Sequence, residues 1–259
     1  MTDDTDNIND VREYEYDPRM IFSLFTGDKY KYFQGREAIK RLKEECDVLA
    51  KGTFIGVVIS SCTSLLSLVT VPATFVGLAG ATVTLEYLIR VRRLCSVAEM
   101  LLDGFNDEII VTLRVKTNSS VIDILARMPD KRIFALMVRS NQDISVKWNQ
   151  ERQQFYITKK GKNPKKCDSL TKTIDELNTL TDLRQERHPL MGNSYAERNA
   201  PIIKAIVLAK EAHIASSNSP DQWTDFGLAK VLKIRTTSVT YVVEYDNLVN
   251  FMSLPKKSS

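Results

Sequence analysis

The chain has 259 residues, 43% of them hydrophobic, and a formal net charge of +4. That length holds one ordinary domain with an appendage, or two small domains. So mild a charge does not by itself imply nucleic-acid binding.

Two histidines (His188, His213) and four widely spaced cysteines (Cys46, Cys62, Cys95, Cys167) leave little material for a zinc site or a histidine-based triad. The cysteines read as reduced, structural thiols. The opening stretch, MTDDTDNINDVREYEYD, is acidic and polar, so residues 1–34 read as a solvated tail and lead-in without a cleavable signal peptide. Residues 35–51 read as an amphipathic helix, with Ile39, Leu42, Val48 and Leu49 at helical spacing.

Between 52 and 85 no residue is charged. An ionised side chain costs about 3 kcal/mol at a bilayer centre, so a long charge-free apolar run points to membrane insertion. The run exceeds the roughly 20 residues of one straight span, and Pro72 falls in its middle. Two helices, 52–71 and 73–89, joined at TVPA, are therefore expected. Lys40, Arg41, Lys43 and Lys51 precede the run and Arg90, Arg92 and Arg93 follow it, which keeps both ends cytoplasmic. Gly56, Ser60, Ser64, Gly77, Gly80 and Ala81 allow close helix approach. The competing reading is a helical hairpin buried in a soluble core; soluble helices seldom lack a polar face over so many turns. The expected organisation is a transmembrane hairpin over 52–90, a domain over 94–254 and a basic polar tail over 255–259.

Past the hairpin the pattern is mixed α/β. CSVAEMLLDGF reads as a helix; EIIVTLRV, SVIDILARM, KRIFALMVRS and QQFYITKK read as strands, with a turn at Pro129-Asp130-Lys131. DSLTKTIDELNTLTDLRQE reads as a helix with Leu170, Ile174, Leu177 and Leu180 on one face. IIKAIVLA reads as a buried strand, WTDFGLAKVLKI as a short helix, VTYVVEY as a strand and NLVNFMSL as a terminal helix. In SSNSPDQW, Asp221 is a candidate helix cap. This order fits a small three-layer α/β domain with a central mixed sheet.

Over roughly 98–251 the chain resembles the nuclease-related domain (NERD) family, a branch of the PD-(D/E)XK, restriction-endonuclease-like fold. VIDIL supplies the strand aspartate as Asp123, and FALMVRS aligns with the Glu-x-Lys strand. VKWN supplies Trp148, and KKGKNPKK supplies the Asn163-Pro164 pair before a helix. The resemblance implies a site in which two carboxylates hold Mg²⁺ and a lysine positions water. Here Met137 stands at the second acid and Arg139 at the lysine. Methionine does not ligate a hard cation, and a guanidinium does not exchange protons near neutrality. Glu99 is the candidate for the family's helix acid, and Asp123 the one metal ligand if the site is active.

Asp123 therefore has two readings: a remnant of a metal or phosphate site, or a cross-strand partner of Arg139. The segment FYITKKGKNPKK sets Lys159, Lys160, Lys162, Lys165 and Lys166 beside Phe155 and Tyr156. This reads either as a nucleic-acid or phosphate surface or as a solvated hairpin in reach of anionic lipid. No glycine-rich phosphate loop is present, and His188 reads as structural.

The expected function is a membrane-anchored, catalytically inactive nuclease-like module with no cofactor, binding nucleic acid or a protein partner at the cytoplasmic face. The alternatives are an active Mg²⁺-dependent nuclease with its second acid displaced to Glu99, Asp143 or Glu151, and a structural subunit of a membrane complex.

Overall fold

The computed structural model describes residues 34–64, 71–117, 120–139, 143–180 and 201–253; in the first two helices the side chains of 53–84 and of Glu86 fall outside that description. The chain opens with α1 (Gly35–Ser64) and α2 (Val71–Gly104), which pack on each other. Then come β1 (Ile110–Lys116), β2 (Val121–Arg127), β3 (Ile133–Arg139), β4 (Ile144–Asn149), β5 (Gln154–Lys159), β6 (Lys165–Lys166) and helix α3 (Asp168–Asn178). After it follow β7 (Ile202–Leu208), β8 (Ala212–Ile214), β9 (Trp223–Phe226), β10 (Ala229–Arg235), β11 (Val239–Glu244) and the short helix α4 (Leu248–Met252).

The strands form two mixed sheets. The larger has the order β1-β2-β3-β7-β11-β10-β9; β1, β2 and β3 are antiparallel neighbours, while β7 lies parallel to both β3 and β11. The smaller has the order β6-β5-β4-β8. Apolar side chains of α1 (Ala38, Ile39, Leu42), α2 (Leu94, Leu101) and α4 (Phe251) share one core with Leu113, Phe134 and Val207 of the large sheet. On the other side, Trp148 and Phe155 of the small sheet and Leu170, Ile174, Leu177 and Leu180 share a core with Ala135, Met137 and Ile206. The large sheet is thus covered on both faces. This explains why β3 reads as a continuous apolar run and not as an alternation.

The four α3-region residues expected on one face are all buried. Other expectations need correction. WTDFGLAKVLKI is not a helix: it is the β9–β10 hairpin, turning at Gly227, whose φ of 58° suits glycine. Asp221 caps no helix; it sits inside a single 3-10 turn, Pro220–Gln222, with no side-chain capping bond. The strand expected at QQFYITKK, β5, lies not in the large sheet but in the second one, paired with β4.

Near the N-terminus, Pro72 stands in the first turn of α2, where the missing N–H costs nothing. The helix expected to stop at 89 and the one expected at CSVAEMLLDGF are a single helix, since no glycine or proline interrupts residues 81–103. Among the described residues no helix is long and apolar enough to cross a membrane. Most of the charge-free run, and with it the expected membrane hairpin, falls on side chains outside the description. At its edges Val48, Leu85 and Ile89 are exposed. His188 and the connection 65–70 also lie outside the described residues.

Candidate functional site: an arginine between two carboxylates

Pairing of β2 with β3 ends at Ile124 and Leu136. Beyond it β3 continues along β7 as far as Arg139 and Leu208, so the N–H of Val138 has lost its partner on β2. The Asp123 carboxylate replaces it: Val138 N donates to Oδ2 at 2.9 Å. The same oxygen accepts from Arg139 Nη1 at 2.7 Å, and Oδ1 accepts from Arg90 Nη2 of α2 at 3.2 Å.

Arg139 faces α3. Its Nη2 donates to Glu176 Oε2 at 2.7 Å and its Nε to Thr173 Oγ1 at 2.9 Å, while Thr173 is itself held by donating to the Ser169 carbonyl. One guanidinium therefore bridges two carboxylates on different elements, with each nitrogen committed. The Asp123 side chain is 7% exposed and that of Arg139 18%, so removing either leaves a poorly hydrated charge. Such losses run to about 3–5 kcal/mol. Arg90 is 61% exposed at its side chain, and its share is screened to under about 1 kcal/mol.

The sequence anticipates the Asp123–Arg139 contact. It does not reveal Arg90, Thr173 or Glu176, which arrive from helices separated from β2 in the chain; the only local hint is that Thr173 and Glu176 flank the apolar stripe of α3. Met137 is buried in the core against the small sheet. Glu99 pairs with Lys43 of α1, about 14 Å farther along α2 than Arg90. It does not join the site. Asp143 and Glu151 are exposed residues of the turns before and after β4. Among the described residues no three His, Cys, Asp or Glu side chains are grouped as metal ligands.

The aromatic and lysine segment divides. Phe155 is fully buried, edge-on to Trp148 with centroids 4.9 Å apart, so it is not available to stack on a base; this corrects its expected binding role. Tyr156 is half-buried and accepts from Arg152 through its hydroxyl. Lys159, Lys160, Lys162 and Lys165 are exposed and make no ion pair among the described residues, whereas Lys166 pairs with Asp168 at 2.9 Å.

No protein-family model matches the chain, nor does any curated protein or solved structure.

Proposed function

We propose that this chain is a membrane-anchored, nuclease-like module that no longer cleaves and serves as a binding or scaffold unit at the cytoplasmic face. The observation that carries the reading is the guanidinium of Arg139 between Asp123 and Glu176. A nuclease of the resembled type needs a divalent cation bound by carboxylate oxygens near this strand pair. Here a permanent organic cation satisfies both acids, and the neighbouring position holds buried Met137.

The element order supports the nuclease-like fold: a helix, three antiparallel strands, a helix and a strand parallel to the third correspond to α2, β1, β2, β3, α3 and β7. β4, β5 and β6 of the small sheet are then an insertion between β3 and α3, and β8, which follows β7, adds its fourth strand. The charge-free run and the exposed Val48, Leu85 and Ile89 beside it support the membrane hairpin.

The test is cleavage of labelled DNA and RNA by the full chain with Mg²⁺ or Mn²⁺, beside Asp123→Ala. The reading expects no cutting by either protein. Metal-dependent cutting by the wild type that Asp123→Ala abolishes would make the chain an active nuclease.

A further inference from the structure

Basic charge is concentrated in one place. Residues 144–166 carry seven Lys or Arg against one acid, Glu151, more positive charge than the +4 of the entire chain. Five of the seven, Lys159, Lys160, Lys162, Lys165 and Lys166, lie in or directly flank the turn between β5 and β6, which Gly161 closes at φ 73°.

The position of that turn follows from pairing. Lys159 lies across from Ile144, the first residue of β4, and Ile144 lies beside Ala212, the first residue of β8. Ala212 N donates to the Ala209 carbonyl, and Ala209 N to that of Arg139. Arg139 in turn reaches Asp123, which Arg90 meets from α2. The lysine turn, the ion network and the point where α2 passes Arg90 into the hairpin are therefore gathered at the end of the sheet where β3 and β7 finish. Both helices run on from there: α1 ends at Ser64 and α2 begins at Val71.

We propose that Lys159, Lys160 and Lys162 dock on anionic phospholipid headgroups beside the hairpin. This rests on the membrane reading above. Three ammonium groups that make no ion pair among the described residues, on a glycine turn, suit a diffuse layer of phosphate and carboxylate charge. They do not suit single-stranded nucleic acid as well, because that binding relies on free aromatic faces. Here Phe155 is buried and Tyr156 is half-buried.

The test uses the full chain with phosphatidylcholine vesicles, with and without phosphatidylserine. Flotation with neutral vesicles that survives an alkaline wash reports the hairpin; its loss would remove the hairpin reading and leave the lysine measurement intact. Lysine acetylation, read by mass spectrometry, reports the turn. Lys131, exposed in the turn between β2 and β3 at the opposite end of the sheet, serves as the reference.

The expected result is roughly tenfold slower acetylation of Lys159, Lys160 and Lys162 with phosphatidylserine present. The protection should vanish at about 1 M salt, where the screening length falls to about 3 Å. In the triple Lys→Glu variant, any preference for anionic over neutral vesicles should drop on the order of 100-fold. Equal acetylation on both vesicles would overturn the proposal. So would protection by single-stranded RNA without protection by phosphatidylserine.

Discussion

Arg114 takes a left-handed backbone conformation, φ 53°, at the point of β1 that faces Asp123 in β2. The pairing register runs Leu113 with Ile124 and Val115 with Ile122, passing over this pair. Side-chain alternation slips there in both strands. Val111, Leu113, Ile124 and Ala126 face the helical layer, whereas Val115 and Ile122 face the layer of α3 and the small sheet. Asp123 stands at the crossover, which is why it meets Arg90 from one layer and Arg139 from the other. A non-glycine residue at positive φ costs on the order of 1–3 kcal/mol and persists only where its surroundings hold it. The ion network is such a surrounding.

Removing the carboxylate should therefore cost far more than a surface pair. Asp123→Ala is expected to lower unfolding free energy by about 3–5 kcal/mol in denaturant titrations. Adding Arg139→Met and Glu176→Gln to that variant should recover a large part of the loss, since neither the arginine nor its second carboxylate partner is then left as a stranded charge. A loss under about 1 kcal/mol in the single variant would mean that the pair is effectively solvated.

The N-terminal half of α1 belongs to the folded core. Ala38, Ile39 and Leu42 are buried with Leu94 and Leu101 of α2. Leu42→Ala should cost about 2–5 kcal/mol, as for other core truncations. The matched substitution at exposed Val48 should change stability by less than about 0.5 kcal/mol. Equal effects at the two positions would separate α1 from the core.

Gly104 ends α2 against α4. A β-carbon built there would lie 2.8 Å from Cγ2 of Val249, a stiff branched side chain. Gly104→Ala should destabilise by about 1–3 kcal/mol through overpacking. Val249→Ala in the same chain should relieve most of that loss, and thermal melts of the two variants check it.

Burial pushes the Cys46 thiol up to about 11 and the Cys95 thiol up to about 12, from an ordinary value of 9.0. Folding holds these protons more tightly than the unfolded chain does. The associated stability is thus fully present below pH 9.0 and is lost as pH rises through about 11 to 12. Native protein at neutral pH should alkylate at Cys46 and Cys95 much more slowly than unfolded protein. Equal rates, followed by mass spectrometry, would show that the helix pair opens readily.

Much of the large sheet is legible in the sequence. β1, β2, β3, β7 and β11 announce themselves as β-branched or apolar runs between turn residues, and the buried stripe of α3 as apolar helical spacing. WTDFGLAKVLKI misleads because its apolar positions fit a helical period; the turn at Gly227 is what decides it. β8 has three residues and offers no period to read. Within the site, the Asp123–Arg139 contact follows from a local hairpin. The Glu176 partner needs α3 to fold back across β3, and Arg90 needs a helix from before the sheet. Contacts of that kind are fixed by tertiary packing, which local patterns do not encode.

Manganese binding to the full chain, measured by calorimetry beside Asp123→Ala, tests the central claim most directly. With Arg139 holding Asp123 and Glu176, both proteins should show only weak, non-stoichiometric heats. A stoichiometric Mn²⁺ site in the wild type that disappears in Asp123→Ala would show that the arginine yields to metal, and would contradict the account.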